Sequence, residues 1–298
     1  MISSDLLISI IIPSYNQGLF ISRTLDSILL QDYKNFEIIL MDGGSTDCTQ
    51  KVVKNYLDKV EFFISEKDLG QSNAINKGLD LAKGEIVGWI NSDDTLLPGT
   101  FSTIIKEFVL NPNLGFVYGN INIIDLNDKI IGKLIGKTCV VPEIIWKLDV
   151  PIPQQGSFWR RDLMVNNSVR LNENFHFVLD RDVFIRSLLL MEVKYINFML
   201  GNFRHHEASK SISQIARWID EIPILYEGII LDFSENKLNS LHILRIKAMV
   251  DIYCSIELFK MRMYKKSLNY LFRSILKNPI VLFRCGFIRK AFNYLLVK

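Results

Sequence analysis

Four short apolar runs constrain this chain more than any other feature. Each is closed by a polar cluster, and a helical pattern separates each from the next. Leu7–Ile12 is an apolar run ended by Pro13, as expected of a strand buried on both faces. Phe36–Met41, Val60–Ile64 and Glu85–Ile90 repeat the pattern, and between them Leu19–Leu30, Thr46–Leu57 and Ser72–Ala82 carry helical spacing. In the first of these, Phe20, Thr24, Ser27 and Ile28 share one face. Such alternation predicts βαβ units and a mainly parallel sheet. Sheets of that kind take ligands beyond the carboxyl ends of their strands, near the point where strand order reverses. The first functional candidates are therefore the closing clusters: Pro13-Ser14-Tyr15-Asn16, Asp42-Gly43-Gly44-Ser45, Ser65-Glu66-Lys67-Asp68 and Asn91-Ser92-Asp93-Asp94.

Beyond Pro98 the pattern is mixed. Phe116–Ile124 and Lys129–Ile135 read as strands joined by an Asn127-Asp128 turn. Gly156–Trp159 and Tyr195–Leu200 read as short strands, and Asp182–Met191 as a helix. From Ile212 only helices are expected: about Ser213–Phe233, Leu238–Met263, Lys265–Lys277 and Pro279–Leu296. This predicts a domain over residues 1–211 and a helical region over 212–298. Charge divides similarly. Residues 1–236 hold 22 basic and 30 acidic side chains, whereas 237–298 hold 13 basic and 2 acidic, so the overall +3 cancels −8 against +11. The four cysteines have no zinc spacing and read as reduced thiols. The start lacks a basic signal segment, and no eighteen-residue apolar run occurs. The expected location is cytoplasmic, with peripheral contact at the inner face of the membrane.

Two nucleotide motifs are absent: the chain has no G-x-x-x-x-G-K-[ST] loop, and Pro-Ser-Tyr-Asn follows the first strand where a dinucleotide fold places G-x-G-x-x-G. What is present suits a nucleotide differently. Tyr15 offers a ring on which a base can stack. Asp42 can accept from a base N–H or a ribose hydroxyl. Asn91-x-Asp93 with Asp94 places oxygen donors where a hard divalent cation bridging phosphates would sit. Each piece also has a purely structural reading. Ser45 can cap a helix, Asp94 can cap the helix after Pro98, and Tyr15 can be core.

Ile11–Gln17 (IIPSYNQ), Asp42–Asp47 (DGGSTD), Glu66–Gln71 (EKDLGQ), Ala74–Gly78 (AINKG) and Gly88–Asp94 (GWINSDD) resemble, in order and spacing, the family 2 glycosyltransferases of GT-A fold. The resemblance implies an α/β fold of Rossmann-like type: a mixed, mainly parallel sheet with flanking helices. A donor half (1–100), an acceptor half (101–211) and a C-terminal helical subdomain would follow. It implies inverting sugar transfer from a nucleotide diphosphate donor, with Mn²⁺ or Mg²⁺ and with a UDP-sugar favoured. The acceptor would be a glycan or lipid-linked glycan of surface polysaccharide synthesis. By position, the resemblance puts Pro13, Tyr15, Asn16, Asp42, Asp68, Gln71, Asn76, Lys77, Asn91, Ser92 and Asp93 at the donor. Asp93, Asp94 and His206 fall at the metal, and Gln155 and Trp159 on the acceptor side. Asp180 matches the catalytic base, with acidic Asp182 two places on. Asn91 and Leu179 stand where the family usually has carboxylates.

Those departures leave a non-catalytic nucleotide-sugar-binding protein as the alternative. A nucleotidyltransferase would need a glycine-rich loop that is absent, and no nucleic-acid recognition motif accompanies the basic tail. Within that tail, Tyr264, Leu268, Leu271, Phe272, Ile275 and Leu276 form one face beside Lys265, Lys266, Arg273 and Lys277. An anionic membrane surface contacted through 264–298 is one expectation. A helical subdomain packed on the core is the other.

Overall fold

Ile8–Ser14 is buried along its whole length because it lies inside the sheet. The computed structural model describes residues 5–139, 148, 150–206, 215–233 and 239–279. In it β1 (Ile8–Ser14) pairs in parallel with β2 (Phe36–Asp42) on one edge and with β4 (Ile86–Trp89) on the other. β3 (Phe62–Ser65) extends the parallel set beyond β2. α1 (Ile21–Leu29), α2 (Thr49–Val53) and α3 (Gln71–Leu81) connect these strands. The sheet runs β3-β2-β1-β4-β8-β6-β9-β5, with β7 joined to β6. Here β5 is Thr95–Leu96, β6 Leu114–Ile124, β7 Ile130–Leu134, β8 Ser157–Arg160 and β9 Glu192–Arg204. β8 is antiparallel to both β4 and β6, whereas β9 runs parallel to β6. The order reverses at β1 and β4, so the crevice beyond their carboxyl ends is the place where such a sheet takes ligands.

Two close approaches set this geometry. On α3, a Cβ at Gly78 would lie 2.5 Å from Ile11 Cγ2, so the glycine lets the helix rest on β1. At the end of β2, a Cβ at Gly43 would lie 2.8 Å from Asp68 Oδ2, so its absence lets that carboxylate cross the strand end.

Several expectations differ from the structure for local reasons. The expected Thr46–Leu57 helix is only α2 and a 3-10 turn at Lys54–Tyr56. The Asp47 carboxylate accepts from the Thr49 N–H at 2.9 Å, so side-chain bonds replace the first helical turn. β9 extends well beyond Tyr195–Leu200. Its C-terminal extension pairs with β6 and is tied to it by the Asn122 amide donating to Asn202 at 2.9 Å, which no apolar pattern reveals. The two-residue β5 and the short α5 (Arg161–Asn166) also lie below the resolution of periodicity. α4 (Thr100–Leu110) is the helix expected after Pro98. α6 spans Leu179–Leu190, starting three residues before the expected Asp182.

The chain divides into two compact units, residues 1–138 with 151–209, and residues 139–150 with 210–298. In the second, α7 (Ile215–Phe233) and α9 (Tyr264–Lys277) each pack on α8 (Ser240–Lys260). Asn239 caps α8 by accepting from the His242 N–H at 2.9 Å. The expected helix Pro279–Leu296 lies outside the described residues apart from Pro279 itself. Among the described residues no helix is long and apolar enough to cross a membrane.

Candidate active site

At the β1 end, Pro13 is buried in the strand while Tyr15 stands 60% exposed. Asn16 adopts φ +54°, a left-handed conformation that asparagine tolerates better than most residues. That turn aims its Oδ1 at the Thr46 N–H, 2.9 Å away, and the Ser45 hydroxyl accepts from the Asn16 N–H at 2.8 Å. The two strand-end loops are therefore locked together next to Tyr15 in the chain. Asp42 is buried. Its carboxylate accepts from the Ser45 N–H at 3.0 Å, from the Ser65 hydroxyl at 2.6 Å and from the Ser45 hydroxyl. Three of roughly four acceptor sites are in use, so Asp42 first braces the loop. A crevice of about 10 Å³ lies among Asp42, Glu66, Asp68 and Lys77. Asp68 accepts from the Gly70 N–H at 2.8 Å, and the Lys77 ammonium pairs with Glu66.

The β4 end carries the charge. His206 Nε2 lies 3.0 Å from Asp93 Oδ2, and its ring stacks on Phe20 with centroids 5.0 Å apart. Asp94 points the other way and is wholly buried. It accepts from Gln155 Nε2 at 2.7 Å, Asn91 Nδ2 at 3.2 Å and the Arg204 N–H at 2.8 Å. Burial first, and the neighbouring Asp93 charge second, hold its pKa well above the usual carboxylate range, against those three hydrogen bonds. The expected trio Asp93, Asp94 and His206 thus divides. Among the described residues no three His, Cys, Asp or Glu side chains converge into a metal cluster. Asp93 and His206 remain as a pair. Donors 3.0 Å apart suit neighbouring positions around a hard cation with bonds of ~2.1 Å, the remaining positions falling to water and phosphate oxygens.

Asn91 links the two halves. Its Oδ1 accepts from Gln71 Nε2 at 2.7 Å while its Nδ2 donates to Asp94. A carboxylate accepts but does not donate, so an amide is what buried Asp94 requires here. Ser92 is buried beside it.

On the acceptor side, Asp180 sits in the first turn of α6, half-buried. Burial raises its pKa, while the Arg181 N–H, donating at 2.7 Å, and the Arg181 charge pull it back. A partly buried carboxylate with a raised pKa is the type of group that serves as a general base. Asp182, expected at the catalytic centre or as a helix cap, has another place. It is buried within the helix with its Oδ1 2.9 Å from Arg186 Nε, and Val178 is the N-cap.

Three further expectations are corrected. Trp159 is no sugar platform: fully buried, it stacks between Trp89 (4.7 Å) and Phe116 (4.6 Å) and donates Nε1–H to Ser187 at 2.9 Å. Phe184 joins the same stack, so Trp159 seats α6, the helix that carries Asp180. Gln155 is likewise buried, holding Asp94. Asn76 faces away from the strand ends. Its amide binds the Leu171 carbonyl and Glu173, each at 2.9 Å, and fastens the segment leading to α6 onto α3.

Sequence reasoning assigned no role to Arg204 or Phe20. Arg204 is fully buried, donating to the Asp93 carbonyl at 2.8 Å and the Asp125 carbonyl at 3.0 Å, with Asp128 at 2.6 Å. Its guanidinium lies over Phe20. It ties the Asp93 loop to the β6–β7 turn. Its place two residues before His206 was the available signal.

Comparison with known proteins bears on the family and the fold. The family model described as Glycosyl transferase family 2 matches residues 9–184. GalNAc(5)-diNAcBac-PP-undecaprenol beta-1,3-glucosyltransferase of Campylobacter jejuni is 31% identical over 57% of this chain and 56% of its own length. UDP-Glc:alpha-D-GlcNAc-diphosphoundecaprenol beta-1,3-glucosyltransferase WfgD of Escherichia coli is 35% identical over 44% of this chain and 51% of its own. The chain thus spans little more than half the length of these curated relatives. Among solved structures, S. aureus TarS 1-349 in complex with UDP-GlcNAc superposes with a TM-score of 0.65 at 18% identity, covering 91% of this chain and 81% of that 1-349 chain. Mannosyltransferase PcManGT from Pyrobaculum calidifontis, in complex with GDP-Man and Mn²⁺, gives 0.59 at 16% identity, over 98% and 87%. Both share the fold. With more than half of the chain matched by one family model, and its motifs gathered at the strand ends where that fold takes ligands, the chain belongs to glycosyl transferase family 2.

Proposed function

We propose that the chain transfers a sugar, with inversion, from a nucleotide diphosphate donor to a lipid-linked glycan in surface polysaccharide synthesis. The observation that carries this is the Asp93–His206 pair at the β1/β4 switch point, on the same sheet edge as exposed Tyr15. Tyr15 stacks the base, uracil by analogy with the donor named for the Escherichia coli relative. Asp93 and His206 would hold Mn²⁺ or Mg²⁺, which supplies Lewis-acid neutralisation of the diphosphate.

The chain's own residues do the rest. Asp180 removes the acceptor hydroxyl proton as that oxygen forms its bond to the anomeric carbon. The bond to the donor phosphate breaks from the opposite face, its electron pair leaving with the diphosphate. Asn91, Gln155 and Arg204 hold Asp94 in buried hydrogen bonds, so that Asp93 and not Asp94 meets His206. The alternative, a donor-binding protein without turnover, is not favoured. Asn91 has a structural partner that explains it, and Asp180 occupies the base position.

The test is transfer from radiolabelled UDP-sugars to undecaprenyl-diphosphate-linked acceptors with Mn²⁺. Product that depends on Asp93 supports the reading. Donor binding without transfer or hydrolysis would establish the non-catalytic alternative instead.

A further inference from the structure

α3 carries a polar stripe. At about 100° per residue, Ser72, Asn73, Asn76 and Asp80 fall within one arc of about 100°. The segment that leads into α6 lies along this stripe and follows it toward the N-terminus of α3. Arg170 pairs with Asp80 through both guanidinium nitrogens, at 2.7 and 3.0 Å. Asn76 donates to the Leu171 carbonyl at 2.9 Å and accepts from the Leu171 N–H at 3.2 Å. The Glu173 carboxylate accepts from Asn76 Nδ2 through one oxygen and from Asn73 Nδ2 through the other, each at 2.9 Å. The Ser72 hydroxyl donates to the Phe175 carbonyl at 3.0 Å. His176 then lies against Gly70, where a Cβ would stand 3.5 Å from its Nδ1. Asp180 follows four residues later.

Asn73 faces two ways. Its Nδ2 donates to Glu173, while its Oδ1 accepts a long bond from the Leu69 N–H at 3.4 Å. That N–H belongs to the loop of Asp68 and Gly70, and Gln71 ties the same loop to Asn91 at 2.7 Å. The loop placed at the donor and the segment carrying the base therefore meet through Asn73 and Glu173. The Asn76 and Asn73 amides hold the Glu173 pKa below the usual carboxylate range, so the group is ionised at neutral pH and accepts through both oxygens. Glu173 is exposed, so its place owes nothing to the hydrophobic core.

We infer that Asn73 and Glu173 are a positioning pair, which sets the start of α6, and with it Asp180, in register with the donor loop. The inference rests on Asp180 as the general base. Both residues act through Asp180. Misplacing a reacting group by about 1 Å can cost ~10²-fold in rate, so their effect belongs in kcat and not in donor affinity.

The experiment compares full-chain variants in transfer from radiolabelled UDP-sugars to undecaprenyl-diphosphate-linked acceptors, with calorimetric titration of UDP and Mn²⁺ and thermal melting alongside. Asn73→Ala and Glu173→Ala each lower kcat about tenfold or more, while UDP affinity stays at the wild-type value and both variants remain folded. The double variant is no slower than Glu173→Ala, because both substitutions cut one link. Asp80→Ala, which breaks the exposed ion pair farther along the stripe, leaves kcat unchanged. Hydrogen exchange reads the link without turnover: the first turn of α6 exchanges faster in Glu173→Ala and at the wild-type rate in Asp80→Ala. Wild-type kcat or wild-type exchange in Glu173→Ala overturns the inference. So do a loss carried by UDP affinity alone, an equal loss of kcat in Asp80→Ala, and single losses that multiply in the double variant. Asp180→Asn separates the two layers. If it transfers at the wild-type rate, the base assignment falls and the pair with it. If it is inactive while Glu173→Ala is unimpaired, the pair alone falls.

Discussion

Asp180 and Asn91 show how single residues take their meaning from their neighbours. Burial raises the Asp180 pKa. A carboxyl whose folded pKa is raised contributes stability that is complete below its unfolded pKa and is lost as pH rises through the folded value. The ionised base at neutral pH is thus held at a stability cost, which the neutral amide of Asp180→Asn removes. That variant should lose about 10²–10⁴-fold in transfer rate while melting higher than wild type at neutral pH, with the gap closing in acid. A variant that transfers at the wild-type rate would unseat Asp180 as the base. For Asn91→Asp the expectation runs against simple charge counting. The substitution adds a carboxylate, yet it removes the donor to Asp94 at 3.2 Å, a loss of about 1–3 kcal/mol. Calorimetric titration should find Mn²⁺ binding no tighter than in wild type. Tighter binding with unchanged melting would show that Asn91 faces the cation.

At the scale of elements, the central object is the stack of Trp89, Trp159, Phe116 and Phe184 joining β4, β8, β6 and α6. The helix that carries Asp180 is seated on a fully buried tryptophan. Trp159→Ala should cost about 3–5 kcal/mol in denaturant unfolding and lower transfer even where the variant remains folded. Trp159→Phe keeps one stacked ring and loses the bond to Ser187, about 1 kcal/mol, together with the smaller cavity left by the missing second ring, so it should cost less than Trp159→Ala. Equal losses in the two variants would locate the effect in that hydrogen bond. The same scale explains which elements were legible. β1, β2 and α3 are buried by runs or periodic stripes of apolar residues, and local pattern suffices for them. The C-terminal end of β9 rests on an asparagine pair with β6, and β5 on two residues, so only the partner strand reveals them.

For the whole molecule, the clusters closing β1, β2 and β4 gather on one edge because three parallel strands end there side by side. Ligand binding to that edge should stabilise the fold. With UDP and Mn²⁺ at about 100 times the dissociation constant, the gain is about 2.7 kcal/mol. A thermal-shift titration reads it, and Asp93→Ala should abolish the Mn²⁺-dependent part. An equal shift in that variant would remove Asp93 from the donor site. The amino-acid sequence by itself determined the sheet class and the family, because burial pattern and motif spacing are local properties of the chain. Tertiary structure decided the rest. Asp94, Gln155 and Trp159 turn inward, Asp93 meets His206 across 113 residues, and α9 buries Ser267 and Ser274 while Leu268 and Leu276 stay exposed. Each of these depends on which group from a distant segment supplies the partner, and spacing along the chain does not encode that.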